Sequence, residues 1–504
     1  MNCPQQVRIY RPVRYLLDGM AKSGISEIAI GAVLVYLGYR LVSGALSRRK
    51  SLPLPPSPKG AVPLLGHALI LPQKNEWKVY DRWCKDLGTD VVCLTAAGTT
   101  LIVLANCQAA FDLLEQRSAI YSGRARMPMV NELMGWGFNL TFMDYGERWR
   151  RSRKLVHHAF HPTVISKYHS LQLRVARDLL HKLRDTQDIM ADIRHWAGDS
   201  IISITYGLPV KSRNDPYLEL SEAAVAPIVP ATRPGAFLVD MFPILRYVPE
   251  WFPGAGFQKK AREWRGLQEE MLNRPFNDMR VGLDGGTGKS CFASEHLANA
   301  NGGAAEEQFI KEVSGALYQE HPEIVKRAQE EIDSVTGTTR LPDFGDEDAM
   351  PYTMACVKEG LRIWSFAPLE DDEYKGYRIP NGSVVMANIW AILHDEAVFP
   401  DPFTFKPDRF LTEDPAVHNQ FTAVFGFGRR ICPARFLALS STWAAIATIL
   451  AVFKVMKAVD ENGKVIEPHY RFVPSLLLLP ESFPCAFKVR SEAAQRLLDE
   501  VPKP

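Results

Sequence analysis

The sequence runs to 504 residues, with 59 Lys and Arg against 57 Asp and Glu for a formal charge of +2, and it is 46% hydrophobic, 10% aromatic and 23% charged. That ordinary globular composition excludes wholesale disorder, a collagen-like repeat and a many-span transporter, and near-neutral charge removes the electrostatic footprint of a dedicated nucleic-acid binder. Eight cysteines, at 3, 84, 93, 107, 291, 356, 432 and 485, form no CxxC pair, which excludes a disulfide scaffold or structural zinc site and suits a reducing compartment.

In chain order, the first feature is IAIGAVLVYLGYRLVSGALS between Glu27 and Arg48, an apolar run of bilayer-spanning length. Arg40 interrupts it and is tolerable if it snorkels to a headgroup region; a buried or interfacial helix is the competing reading. Arg48-Arg49-Lys50 at its end argue against a cleaved signal peptide and favour a cytosol-facing body, against Arg8, Arg11, Arg14 and Lys22 on the other side. Four prolines within Pro53–Pro58 demand a stiff, extended strut. Residues 91–94 and 100–104 then read as strands, followed by a helix over Cys107–Gln116. Helical periodicity covers 149–159, 163–185, 188–206, 255–280, 306–333 and 351–364, strand-like pieces return near 373–386, and a helix runs from Arg435 to Lys454. The expected organisation is a polar extension over 1–27, a transmembrane helix over 28–47, a basic, proline-rich strut over 48–60 and one body over 61–504. That body is mainly α with small β-sheets, an α+β architecture.

The chemistry concentrates in Phe425-Gly426-Phe427-Gly428-Arg429-Arg430-Ile431-Cys432-Pro433-Ala434. Glycines permit a tight turn and close backbone approach, and one cysteine stands just before a helix start, where N–H groups and nearby cations favour its thiolate. A lone cysteine is usually a small buried hydrophobe, and the other seven suit that role. The pattern Phe425-x-x-Gly428-x-Arg430-x-Cys432 resembles the haem-thiolate loop of the cytochrome P450 family. Glu359-x-x-Arg362 and Pro407-Asp408-Arg409-Phe410 precede it in that family's order, and Trp149-x-x-x-Arg153 resembles its W-x-x-x-R element.

The resemblance implies the cytochrome P450 fold behind an N-terminal membrane anchor, with haem b (iron protoporphyrin IX) as cofactor. It makes Cys432 the proximal iron ligand, places Phe425 and Gly428 in the haem-binding loop, and assigns Trp149, Arg153 and Arg430 to the haem propionates. It makes Glu359, Arg362 and Arg409 a buried structural triad, an arrangement that is sound only with every partner present. The implied activity is a monooxygenase of the endoplasmic reticulum membrane that oxidises an apolar substrate with O2 and electrons from NADPH-cytochrome P450 reductase. Arg148, Arg150, Arg151, Lys154 and Arg429 would present positive charge to that acidic partner. Residues 127–142, 236–253 and 474–477, rich in Met, Trp, Phe and Leu, are candidate walls for a terpenoid, steroid-like or polycyclic aromatic substrate in secondary metabolism. No nucleic-acid partner is expected.

The sequence departs from the family in three places. The central-helix acid–alcohol pair that relays protons should follow Val313–Tyr318, but the chain passes directly to Gln319-Glu320-His321-Pro322-Glu323. A smaller segment, with a basic residue for a propionate, is absent after Leu369, and Ala434 stands where glycine is customary. Mis-assigned exons, a splice variant and a degenerate enzyme are all open at this point. The alternatives to a monooxygenase are therefore a haem- or lipophile-binding relic and a peroxide-using haem-thiolate enzyme. Three further signals are set aside. Leu283–Ser290 resembles a phosphate-binding loop but has Leu283 where glycine is needed. His157 and His161 have metal spacing but no third ligand, and Asn139-Leu140-Thr141 and Asn381-Gly382-Ser383 are sequons that stay unmodified on a cytosolic body.

Overall fold

The computed structural model describes residues 52–502 except 64, 73–74, 97, 185, 187, 233–234, 299–303, 317–326, 338, 361–370, 468–471, 474–478 and 481–482. The extension and the expected transmembrane helix over 28–47, Arg362, the junctions after Tyr318 and Leu369, and residues 474–477 lie outside the described residues.

Helix α1 (Glu76–Leu87) closes on Gly88 in the left-handed region, whose N–H bonds back to the last turn. Strands β1 (Val91–Ala96) and β2 (Thr99–Leu104) form an antiparallel hairpin, and β2 pairs in parallel with a distant strand at Val384–Ala387. The proline strut is stitched to this layer. Pro53 O accepts from Arg378 N–H, Pro56 O from Cys93 N–H, and Pro58 O faces the His67 imidazole. The prolines make the strut stiff and extended, and these bonds dock it on the sheet.

The helical layers follow as α2 (Glu147–Ala159), α3 (His169–Arg184), α4 (Ile189–Tyr206), α5 (Pro216–Val225) and α6 (Gly256–Asp284). Then come α7 (Ala304–Ala316), α8 (Arg327–Thr336), α9 (Pro351–Gly360), α10 (Arg435–Val452) and α11 (Glu492–Glu500). Their ends are set locally. The Asp188 and Asp215 carboxylates cap the first turns of α4 and α5, and Glu331 on α8 accepts the Tyr352 and Thr353 N–H groups that open α9. Helix α10 is apolar over most of its surface and runs through the core. Its Trp443, Ala447 and Leu450 pack with Leu179 of α3, Trp196 of α4, Ile332 of α8, Val357 of α9 and Leu498 of α11. Among the described residues it is the one helix long and apolar enough to cross a membrane, and most of it is buried in the body.

A second core joins the β1–β2 sheet to residues 107–121 and 389–427, so the cysteine loop lies between two packed bodies. Several expected elements change on folding. The helix over 107–116 is α-helical only to Ala110 and then widens to a π-helix over Phe111–Gln116. The helix over 163–185 opens with a 3₁₀ turn before His169. The helix over 306–333 is described as α7 and α8, on either side of 317–326. Helix α10 stops at Val452 rather than Lys454, because Phe453 enters a strand that pairs with Val489 and puts its ring against Phe487.

Candidate functional site

The cysteine loop is shaped by its own backbone. Gly426 and Gly428 take positive φ, at 82° and 55°, between two short 3₁₀ turns, and Cys432 N–H closes the loop on Phe425 O at 2.7 Å. Gly428 is required twice over. Its φ suits glycine, and a Cβ there would collide with the Leu114 carbonyl oxygen and lie 2.6 Å from Ser118 Cβ. Ala434, by contrast, has φ −100°, so the customary glycine is not needed there. Its carbonyl starts the α10 ladder by accepting Ala438 N–H. Phe425 packs edge-on against Phe421 at 6.1 Å.

The Cys432 thiol is pushed up by burial, while the Ala434 N–H and the guanidinia of Arg153 and Arg435 pull it down. A metal ion completes that pull, since a coordinating thiol is deprotonated outright. Beside it stands a group of cations. Arg430 lies over the Trp149 ring at 4.4 Å and Arg153 at 5.8 Å from its centre. Arg430 donates to the carbonyls of Ser122, Leu140 and Met143 at 2.8, 3.1 and 3.0 Å. Burial first, then the charge of Arg124, with Arg153 adding to it and Asp144 opposing, push Arg430 down to about 9. Burial also takes Arg124 and Arg153 down to about 10.

Two guanidinia against a tryptophan and a third beside Arg430, next to a thiol at a helix start, suit a group that offers iron to the sulfur and two carboxylates to the cations. Haem b is such a group, and the residues present fit it. Arg124 was not among the residues singled out from sequence. An isolated arginine after Tyr121-Ser122-Gly123 carries no pattern, and only its place beside Arg430 reveals it.

The other expected residues are placed as follows. Glu359 falls in the last turn of α9; its side chain lies outside the described residues. Arg409 sits in the turn Pro407–Phe410, which packs against α9, and donates to the carbonyls of Pro400, Asp401 and Thr404. Two of the five docking cations are redirected: Arg148 pairs with Glu312 and Arg151 with Glu306, tying α2 to α7. Arg150, Lys154 and Arg429 stay exposed. The apolar segments also divide. Met129, Met134, Trp136 and Phe138 are buried in a core with Leu220 and Met271, whereas Ile244, Tyr247 and Trp251 are exposed by 71, 69 and 81%. A cleft of about 440 Å³ opens nearby, but Glu132, Arg148, Gln268 and Glu312 make it polar and none of its lining comes from the cysteine loop.

The set-aside motifs stay set aside. In the loop after α6, Thr287 and Gly288 N–H groups both donate to Gly282 O and follow a helix C-terminus, the opposite of a phosphate cradle. His157 and His161 rings are 5.2 Å apart, and among the described residues no His, Cys, Asp and Glu group is arranged for a metal ion.

A family model described as cytochrome P450 matches residues 55–302 and 316–483. A cytochrome P450 monooxygenase of Armillaria gallica is 39% identical over 505 residues, covering 94% of this chain and 98% of the relative. Cytochrome P450 monooxygenase 98 of Postia placenta is 40% identical over 509 residues, covering 94 and 96%. The tryptamine 4-monooxygenase of Psilocybe cyanescens is 36% identical over 495 residues, covering 91 and 97%. Alignments extending over 505 and 509 positions use 94% of the 504 residues here, so these two relatives carry residues that this chain lacks.

Proposed function

We infer the chemistry of this protein from one premise: the chain belongs to the cytochrome P450 family. It is an oxidoreductase, a monooxygenase with haem b as cofactor, supplied with electrons by a redox partner such as a cytochrome P450 reductase. When bound, the haem activates dioxygen so that one oxygen atom enters the substrate, and a thiolate ligand pushes electron density toward that chemistry.

In our reading Cys432 is the thiolate, and the observation that carries it is the loop geometry: the glycine turn at Gly426 and Gly428 sets Cys432 just ahead of the first turn of α10. The loop hydrogen bond from Cys432 N–H to Phe425 O orients the residue. Arg430, Arg153 and Arg124 would neutralise the two haem carboxylates, and Trp149 lies against both Arg430 and Arg153. Glu359, Arg362 and Arg409 would form the structural triad that the family resemblance implies. Arg150, Lys154 and Arg429 provide positive charge for the reductase.

The substrate in this reading is apolar and fairly rigid: a terpenoid, a steroid-like compound or a polycyclic aromatic, in secondary metabolism. Likeness to a tryptamine 4-monooxygenase supports the aromatic class among these. The protein is held at the endoplasmic reticulum membrane by residues 28–47, with the strut 48–60 leading to a cytosol-facing catalytic domain over 61–504. The exposed Ile244, Tyr247, Trp251 and Phe252 support contact with a lipid surface. The decisive test is the reduced, CO-bound spectrum. The parent should show the red-shifted Soret band of a thiolate complex, and Cys432→Ala should lose it; retention of the band by that variant sinks the ligand assignment.

A second reading rests on one observation, that no acid–alcohol pair follows Tyr318. It makes the chain a haem- or lipophile-binding relic, or an enzyme that uses peroxide and needs no external proton relay. Turnover with NADPH and reductase, compared with turnover on added peroxide, separates the three.

A further inference from the structure

The cysteine loop is held from outside by the π-helix over Phe111–Gln116. Glu115, on its last turn, accepts the Gly428 N–H with its carboxylate at 2.5 Å. The fit is close enough that a Cβ on Gly428 would strike the Leu114 carbonyl. Farther along, Ser122 O takes Arg430 Nε at 2.8 Å, so the loop is pinned at Gly428 and again at Arg430 by one short stretch. That stretch is itself braced: Arg117 and Tyr121 both donate to Asp372 at 2.7 and 2.9 Å, and Asp112 accepts from Tyr374 OH. A wide π turn is costly and recurs where function needs an unusual alignment.

We propose that Glu115 is a positioning residue for Cys432, whose bond to Gly428 N–H seats the loop so that the sulfur stays in ligating position. The proposal rests on the reading of Cys432 as the iron ligand. The bond is charge-assisted, and without it the Gly428 N–H is left facing the π turn with no acceptor. Losing such a bond shifts the balance between seated and displaced loop by about 10- to 100-fold. The displaced loop presents a neutral thiol or no sulfur to the iron.

The experiment uses the full-length, haem-loaded protein and measures the fraction of bound haem that gives the thiolate-type reduced CO band, together with the rate at which that fraction decays and the melting temperature. Glu115→Ala should lower the thiolate fraction and speed its decay. Glu115→Gln, which keeps a neutral acceptor in place, should lie between Ala and the parent. Glu115→Asp, which keeps the charge but is one methylene too short, should resemble Ala. If Glu115→Ala does not fold, the Gln and Asp variants carry the test alone. A parent-like fraction and decay rate in Glu115→Ala overturn the proposal even if the melting temperature falls, because the role is then one of general stability. So does a parent-like Glu115→Asp, which would assign the effect to charge near the loop. Cys432→Ala, run alongside, keeps the two assignments apart: a band that survives there refutes the ligand and the seat with it, whereas a band lost there together with a parent-like Glu115→Ala refutes the seat alone.

Discussion

At the scale of single residues the site is built from cations that are individually unfavourable. Arg430 is 8% exposed and is lowered by burial and by Arg124 and Arg153, so its place must be secured by more than charge. Three backbone carbonyls from two separate segments do this. Hydrogen bonds from an ionised donor contribute roughly 1.5–3 kcal/mol each, against a total stability of about 5–15 kcal/mol. Arg430→Ala should therefore yield little folded, haem-loaded protein. Arg430→Lys should recover only part of it, since one ammonium cannot reproduce the planar fork. The measurements are the haem-to-protein ratio and the melting temperature; parent values for the Ala variant would show that these bonds contribute nothing. The same scale explains which residues were legible. Cys432 and Arg430 announce themselves by spacing, while Arg124 and Glu115 do not, because their partners lie hundreds of positions away.

At the scale of elements, α3 and α4 meet through a buried polar contact that gives the fold a pH dependence. Lys182, buried and pushed down to about 8 by desolvation, donates to His195 Nδ1 at 2.6 Å and to Ser212 O. His195 Nε2–H then donates to Lys211 O at 2.7 Å. Burial, then the Lys182 charge, lowers the His195 value, against the Lys211 carbonyl, Asp199 and Asp215. The unfolded chain therefore takes up the proton first as pH falls below the ordinary histidine value of about 6.5. Stability contributed by neutral His195 is fully present above that value and is lost as pH falls through the lower folded one. The melting temperature should drop between neutral pH and about pH 5, and His195→Gln, whose amide can still donate to Lys211 O, should flatten that drop. An identical slope in the variant would place the acid sensitivity elsewhere. Elements also show where periodicity misleads: the pattern over Cys107–Gln116 reads as one α-helix, but the chain widens after Ala110 into a turn that carries Leu113 and Leu114 into the sheet-side core.

At the scale of the whole molecule, the function proposed above makes the proximal side and the oxygen side unequal. The cysteine loop, its cations and α10 are all described, whereas α7 is described over 13 residues, about 20 Å of helix, and in that reading the sequence after it, which passes from Tyr318 directly to Gln319-Glu320-His321-Pro322-Glu323, lacks the proton-relaying pair. The family match is also interrupted over residues 303–315. Electrons should reach the iron, but proton delivery, which typically contributes 10²–10⁴-fold, should fail. The chain should consume NADPH slowly, release mostly hydrogen peroxide and form little oxygenated product. Inserting a family-like central-helix segment between Tyr318 and Gln319 should raise product formed per NADPH, measured with terpenoid and polycyclic aromatic compounds. Tight coupling in the unaltered chain would mean that another residue or an ordered water relays the proton.

Local order in the sequence was enough for the helical body, the small sheets, the loop carrying Cys432 and the family to which the chain belongs. Each of these is written in adjacent residues: apolar periodicity, the glycines of the cysteine loop and a cysteine just before a helix start. What the tertiary structure decided is everything that depends on which distant segments touch. It docked the proline strut on the sheet, paired Arg148 and Arg151 with Glu312 and Glu306 of α7, divided the apolar segments between core and surface, and set Glu115 against Gly428. A hydrogen bond or ion pair is read at about 3 Å, and a chain encodes such distances only after its cores have packed.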